Sequence, residues 1–156
     1  KTEITVGSDG TGATSAYAFM LNDLVGTKLK VLTGYTGTSQ IDLALERGEV
    51  EARVGWSWSS LRVANMDWLK EGKIKLLMQV GLQKNKEIPA DVPLVLDLAK
   101  TQKQKQALTI TFANQSMGRP FVMPPGVPPA IVAEVRKAFA EMIKDPAFLV
   151  EADRRL

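Results

Sequence analysis

Short apolar runs alternate with amphipathic runs of helical spacing over the first half of the chain. The strand-like runs lie at residues 3–6, 29–32 and 50–56. A fourth run, residues 74–80, is almost continuously apolar, which is typical of a strand buried on both faces. Between these runs the apolar spacing predicts helices that begin at Ser15, at Thr38 or Ser39, and at Ser59 or Ser60.

The second half of the chain has a different pattern. Residues 83–93 are polar and include two prolines, so they predict a surface connection. A helix over residues 94–107, whole or in two pieces, and a short strand at 120–123 follow. Pro128 and Pro129 suit the first turn of a helix over residues 129–144, where a missing N–H costs nothing. A last helix is expected at residues 147–155.

Strands that alternate with helices through short links favour parallel strands joined by right-handed crossovers. The expected fold class is therefore α/β, as a three-layer sandwich with a mainly parallel sheet. The helix at residues 129–144 follows a long excursion and is a candidate for a separate packing unit.

The composition narrows the possible chemistry. The 156 residues are 45% hydrophobic, which is enough for the core of one ordinary domain. They include no cysteine and no histidine. This removes disulfide scaffolds, thiolate or imidazole metal sites, cysteine nucleophiles and Ser-His-Asp relays. We therefore expect a protein that is not an enzyme, with no catalytic residue, no metal and no cofactor.

The charge does not indicate a nucleic-acid partner. The net charge of +3 is small and spread along the chain. The nearest approach to a basic patch is Lys100, Lys103 and Lys105, whose spacing favours the solvated face of a helix over nucleic-acid contact. No run approaches the roughly 18 apolar residues that a membrane span requires.

The strongest candidate for binding is the Gly-rich turn at residues 7–15, between the first strand and the first helix. Such a turn lets backbone N–H groups point at an anion, and a helix N-terminus adds roughly half a positive charge. The expected ligand contacts are Ser8, Thr11, Gly12, Ala13, Thr14 and Ser15. The alternative is a turn whose hydroxyls only cap the helix.

Nucleotide motifs fit this turn poorly. A Walker A loop requires a lysine where Ala13 stands, and the dinucleotide fingerprint requires a glycine where Ser15 stands. A carboxylate needs only a few neutral donors. We therefore expect the anion to be a carboxylate.

Two further turns end the second and third predicted strands. The second turn, at residues 33–39, places small donors at another helix N-terminus, and neighbouring parallel strands would face both turns into one crevice. Its expected ligand contacts are Tyr35, Thr36, Gly37 and Thr38.

The third turn, at residues 55–60, holds Trp56, Ser57 and Trp58 as candidate ligand contacts. The two tryptophans alternate along an extended segment, so either they wall an aromatic or aliphatic ligand or at least one is core. Arg53 and Arg119 are candidate anion partners or members of structural ion pairs.

Several pieces of the chain match one known family in their order and spacing. They are the Gly-rich turn, the sequence Gly34-Tyr35-Thr36-Gly37, the pair Asp42-Leu43 followed by residues 48–51, and residues 72–76, 91–93 and 124–128. In this order they resemble the periplasmic receptors of tripartite tricarboxylate transporters, a family of extracytoplasmic carboxylate-binding proteins.

The resemblance implies one lobe of a type II periplasmic-binding-protein fold. Residues 1–110 would be the ligand-binding second lobe, and residues 111–156 the crossover and helices of a first lobe that is otherwise absent. The helix at residues 129–144 would then pack on residues 1–110 or pair with another copy as a homodimer.

The same resemblance implies a periplasmic receptor that carries a small di- or tricarboxylate, or an aromatic acid, to membrane transporter subunits. Thr36 replaces the family's lysine, and Gly55 stands where an acidic residue often ends a strand. The ligand is therefore expected to be less charged, or aromatic. Two other classes stay open: an effector-binding domain of a transcription regulator, and an anion-binding lobe of an enzyme.

Overall fold

A computed structural model describes residues 3–10, 12–118 and 120–154. Its elements, in chain order, are β1 (Ile4–Ser8), α1 (Gly12–Val25), β2 (Leu29–Thr33), α2 (Thr38–Glu46), α3 (Trp58–Ala64), α4 (Met66–Lys70), a 3₁₀ helix (Val95–Leu98), α5 (Gln102–Phe112), a second 3₁₀ helix (Ala113–Met117), α6 (Pro129–Met142) and α7 (Pro146–Arg154).

The two strands form a parallel pair joined by α1, which confirms the α/β class. Their register runs from Ile4 opposite Leu29 to Ser8 opposite Thr33. The Asn22 side chain fixes the short link between α1 and β2, since its Oδ1 accepts from the Leu29 N–H and its Nδ2 donates to the Leu29 carbonyl, both at 2.8 Å. One amide side chain thus holds the C-terminal part of α1 against the start of β2.

The third predicted strand, residues 50–56, does not form. Only Ala52 bridges to Val6, in parallel orientation. The reason lies at Thr5, whose N–H donates to Glu51 Oε2 at 2.7 Å instead of to a backbone carbonyl. The Thr5 hydroxyl donates to the same oxygen at 3.0 Å. The Thr5 carbonyl accepts from the Glu51 and Ala52 N–H groups, each at 3.0 Å, so a carboxylate takes the place of one backbone acceptor on this edge of β1 and the regular ladder stops there.

The buried strand predicted at residues 74–80 is wrong as well. Gln79 makes a single bridge, to Leu94, and Leu77 is 60% exposed. No strand of the described chain lies along this segment, and its apolar side chains are half-buried or exposed. The strand predicted at residues 120–123 is also not formed, and Phe121 and Val122 are exposed.

Helices α1 and α2 cover opposite faces of the narrow sheet. Successive residues of a strand point to opposite faces. The Ser8 hydroxyl meets Thr14 of α1, whereas a Cβ placed on Gly7 would lie 2.9 Å from Ile41 of α2. Two strands do not by themselves establish the broad three-layer sandwich expected from the sequence.

The main core lies where α1, the first 3₁₀ helix and α5 meet. It is formed by Leu21, Val95, Leu108 and Phe112, and Tyr17 meets the Phe112 ring edge-on at 5.0 Å between centroids. The expected helix over residues 94–107 is indeed in two pieces, and a capping box between Thr101 and Gln104 starts the second. The core extends through Phe112, just past the predicted lobe boundary at residue 110.

The C-terminal helices α6 and α7 bury none of their described residues. Helix α6 begins with Pro129, as the sequence predicts, and its Phe139 ring lies 5.3 Å from the Phe121 ring between centroids. Packing of this helix on residues 1–110 is therefore not supported. Pairing with a second copy stays a prediction.

Glu51 makes the edge of β1 sensitive to acid. The two Thr5 donors lower the pKa of Glu51 below its usual value near 4.5, so its contribution to stability is present above pH 4.5 and lost as pH falls through the folded pKa. Glu51→Gln is expected to remove this dependence. The free energy of unfolding, measured in urea against pH, should separate wild type from variant above pH 4.5, and the two should converge as pH falls through the lowered pKa of Glu51.

Thr5→Val is the matched control for this measurement, because it removes the hydroxyl donor and keeps the backbone donor. It should lose only part of the acid dependence. A difference between wild type and Glu51→Gln that stays constant through the acidic range would contradict the role assigned to Glu51.

Candidate functional site

Three turns lie side by side at one edge of the sheet. They follow β1, β2 and the bridge of Ala52 to Val6, and the three segments run parallel. The second turn closes on the first at Gly7, where an added Cβ would lie 3.2 Å from the Tyr35 ring. The third closes on it at Gly55, where a Cβ would lie 2.8 Å from the Ala13 carbonyl oxygen. The structure therefore brings the first and second turns into contact, and it adds the third turn, which the sequence analysis did not place beside them.

The Gly-rich turn is held by a chain of hydrogen bonds that ends on its own carboxylate. The Gly10 N–H donates to the Ser8 hydroxyl at 2.9 Å, the Ser8 and Thr14 hydroxyls lie 3.0 Å apart, and the Thr14 hydroxyl donates to Asp9 Oδ1 at 2.6 Å. One consistent direction of donation, Gly10 to Ser8 to Thr14 to Asp9, satisfies all of them. Asp9 thus supplies an anion from within the turn.

These hydrogen bonds show which residues of the first candidate group have donors left for a ligand. Ser8 and Thr14 are buried, and their hydroxyls have partners inside the turn. Gly12 and Ala13 begin α1, and the Ser15 hydroxyl has no protein partner among the described residues. Thr11 lies outside the described residues. A ligand-binding role for these positions stays a prediction.

The second turn leaves its donors open. Helix α2 has Gly37 as its N-cap, not Thr38 or Ser39 as expected, and no side chain caps it. The N–H groups of Gln40 and Ile41 bond to the Gly37 carbonyl. Within the described part of the chain, the N–H groups of Thr38 and Ser39 have no partner. Orphan N–H groups of this kind carry the positive end of the helix dipole.

The rest of the second candidate group has mixed roles. The Thr36 N–H donates to Gln40 Oε1 at 2.9 Å, so this amide is already used, whereas the Thr36 hydroxyl is exposed and unbonded among the described residues. The Tyr35 ring packs over Gly7. Gly37 and Thr38 present the open start of α2.

The sequence analysis predicts both tryptophans of the third turn on one extended segment, and this prediction is wrong. Trp56 precedes α3 and Trp58 is its first residue. Ser57 is the N-cap, in place of the expected Ser59 or Ser60, and its hydroxyl accepts from the Ser60 N–H. Trp56 meets Trp68 edge-on at 6.3 Å between ring centroids, whereas the Trp58 indole N–H donates to Glu87 Oε2 at 2.5 Å.

A buried ion pair stands behind this turn. Arg53 donates to the Asp42 carboxylate, and its guanidinium carbon lies 4.2 Å from the Trp56 ring centroid. Of the two readings left open for Arg53, the structural ion pair is the one found. Burial lowers the pKa of Arg53 to about 10, so the guanidinium keeps its charge at neutral pH. Arg119 lies outside the described residues.

Sequence reasoning missed Arg62 and Glu87. Arg62 NH1 lies 3.0 Å from both oxygens of Glu87, which joins α3 to the connection over residues 83–93. The two residues are 25 positions apart, and no spacing rule links a helix to the tip of a long loop. The polar character of residues 83–93 was the one available signal, and it indicated only a surface position.

Two open concavities of the described surface lie outside the crevice predicted between the first and second turns. One, of about 390 Å³, is lined by Ser59, Ser60, Val63 and Ala64 of α3. The other, of about 230 Å³, lies between the link that precedes β2 and the side chains of Leu77 and Met78. Among the described residues, no group of acidic side chains is arranged to hold a metal ion.

Gly55 and Gly72 provide a matched test of the contact between the first and third turns. Both have positive φ, +76° and +73°, but only a Cβ at Gly55 would strike the Ala13 backbone. Gly72→Ala should cost roughly 1–2 kcal/mol for the left-handed conformation alone. Gly55→Ala should cost about 1 kcal/mol or more beyond that because of crowding. Urea unfolding measures both, and equal costs would contradict the contact.

Asp42 is expected to matter more for stability than an exposed aspartate. Asp42→Ala leaves the Arg53 charge buried without a partner and should lower the free energy of unfolding by about 3 kcal/mol. Asp23→Ala, at an exposed position of α1, should change it by about 0.5 kcal/mol at most. Replacing both partners, in Asp42→Leu/Arg53→Met, should restore part of the loss. A double variant as unstable as the sum of its single changes would argue against the pair.

The comparisons with known proteins give no relative for this chain. No family model, no curated protein and no solved structure matches it. None of the described helices combines the length and the apolar character needed to cross a membrane. The functional argument therefore rests on the geometry of the three turns.

Proposed function

We propose that this chain is a carboxylate-binding lobe of a solute receptor. The observation that carries the proposal is the uncapped start of α2, beside the end of β1. Its Thr38 and Ser39 N–H groups have no partner among the described residues, and Thr36, Thr38 and Ser39 of the same turn carry exposed hydroxyl side chains. A helix start with open N–H groups is a ready site for an anion.

The local charge favours a ligand of low charge. The first turn of α2 has no acidic side chain, and Asp42 farther along the helix is neutralised by Arg53. Asp9, in the neighbouring Gly-rich turn, is a fixed carboxylate. A single carboxylate bound by neutral donors suits this setting, whereas a phosphate chain with several charges would lack a lysine or metal to balance it.

The Gly-rich turn gives the second turn a rigid surface to pack against. Because the Ser8 and Thr14 hydroxyls and the Gly10 N–H form a continuous hydrogen-bond chain to Asp9, the turn holds its shape without a ligand. Tyr35 packs on it through Gly7, so the second turn is held against a rigid base. A preorganised base lowers the entropic cost of binding.

The finer parts of the proposal follow the resemblance to receptors of tripartite tricarboxylate transporters. They are the lobe of a type II binding protein, the di- or tricarboxylate or aromatic acid as ligand, membrane transporter subunits as partners, and a periplasmic location. The exposed apolar sides of α6 and α7 fit the remaining part of the proposal, contact with a further protein surface such as a second copy.

Gly37→Asp tests the site by filling it from within. Gly37 has an extended backbone, φ 173°, and nothing lies within 4 Å of an added Cβ, so both aspartate and alanine are tolerated. Aspartate at an N-cap accepts from the open N–H groups, and it should weaken carboxylate binding about tenfold, since a hydrogen bond to a charged group contributes roughly 1.5 kcal/mol. Gly37→Ala leaves the N–H groups open and is the matched control.

The measurement is a ¹H–¹⁵N NMR titration with sodium succinate and sodium benzoate against sodium chloride at equal ionic strength. The Thr38 and Ser39 amide resonances should shift saturably in wild type and Gly37→Ala, and much less in Gly37→Asp. Amide resonances that respond to carboxylates no more than to chloride, or respond equally in both variants, would rule out this site.

A further inference from the structure

We infer that Trp58 and Arg62 form a second carboxylate site, which the side chain of Glu87 occupies as an intramolecular ligand and from which a small free carboxylate displaces it. The inference deepens the proposed function, resting on its ligand class. It concerns different residues from the start of α2.

The geometry is that of carboxylate recognition by side chains. The Trp58 indole N–H lies 2.5 Å from Glu87 Oε2, and Arg62 NH1 lies 3.0 Å from each Glu87 oxygen. Trp58 and Arg62 are four residues apart on α3, so their side chains share one face. Both donors are side-chain groups that a free carboxylate can meet in the same way.

Glu87 is an imperfect occupant of this pair. It engages only one terminal nitrogen of the Arg62 guanidinium, and the other Arg62 donors make no hydrogen bond to the described residues. A bidentate arrangement, with two parallel N–H to oxygen bonds, is the stronger mode for arginine and carboxylate. A free carboxylate is not tied to a loop and can adopt it.

Displacing Glu87 does not require the loop to unfold. Hydrogen bonds to buried Gln79 hold the base of the loop. The Gln79 backbone bonds to Pro93 and Val95, and its side chain bonds to Val92 and Asn85. Glu87 lies at the tip, with its side chain 53% exposed. Rotation of one exposed side chain therefore opens the site, while the base stays fixed.

The rest of a bound acid would face solvent. The concavity of about 390 Å³ on α3 is lined by Ser59, Ser60, Val63 and Ala64, which at 3.6 residues per turn lie on the other side of the helix from Trp58 and Arg62. The pair therefore contacts the carboxylate group alone, which fits a short mono- or dicarboxylate.

The test uses Glu87→Ala, with Glu87→Gln as a variant that keeps the shape and removes the charge. The readout is the Trp58 indole ¹H–¹⁵N resonance, assigned by its loss in Trp58→Phe. Sodium acetate and sodium succinate are titrated against sodium chloride at equal ionic strength. Because an exposed ion pair of this kind is weak, removal of Glu87 should tighten binding about fivefold relative to wild type, and Glu87→Gln should lie between.

Arg62→Met in the Glu87→Ala background should abolish the response, and unchanged backbone spectra away from α3 should show that the variants fold. The inference is overturned if the Trp58 resonance in Glu87→Ala responds no more to carboxylates than to chloride. It is also overturned if wild type and Glu87→Ala bind equally, or if the response survives Arg62→Met. The Thr38 and Ser39 amides report the first site separately, so failure of one site is distinguishable from failure of the other.

Discussion

The structure depends on β1 being hydrogen-bonded along both of its edges by groups of different kinds. On one edge, β2 supplies a regular parallel ladder. On the other, the Glu51 carboxylate accepts the N–H and the hydroxyl of Thr5, and Ala52 adds one bridge. A buried strand cannot leave backbone groups unsatisfied, so this mixed pairing fixes where residues 50–55 run. It thereby brings Gly55 against Ala13 and assembles the three turns.

Carboxylates of the protein itself accept hydrogen bonds at three places at this end of the molecule. Asp9 closes the hydrogen-bond chain of the Gly-rich turn, Asp42 neutralises buried Arg53, and Glu87 sits on Trp58 and Arg62. In each case the protein's own acidic side chain meets donors that would also suit a bound carboxylate. Helix α2 has Gly37 as its N-cap and no side-chain cap, whereas the Ser57 hydroxyl caps α3. This difference points the proposed function to α2.

Much of the fold could be predicted because helical spacing is a local property. The helices near residues 15–25 and 129–144 form almost where the apolar pattern puts them. The strands at residues 50–56 and 74–80 were predicted from short apolar runs, and such a run does not say which neighbour will pair with an edge. At Thr5 a carboxylate took the backbone donor, and beside Leu77 no strand of the described chain offers a ladder. Predictions of β-strands fail in this way because the hydrogen bonds of a strand go to residues that are distant in the sequence.

The candidate site also has features that depend on local sequence and features that depend on distant parts of the chain. The sequence by itself determined the α/β class, the three small-residue turns and the exclusion of histidine and cysteine chemistry, because these follow from residue type and short-range spacing. Only the tertiary structure decided that the Ser8 hydroxyl bonds to Thr14 and the Thr14 hydroxyl to Asp9, that α2 starts uncapped, and that Glu87 reaches Trp58 from 29 residues away. The physical reason is that a donor's partner is set by which groups the fold brings within about 3 Å, and chain order does not contain that distance.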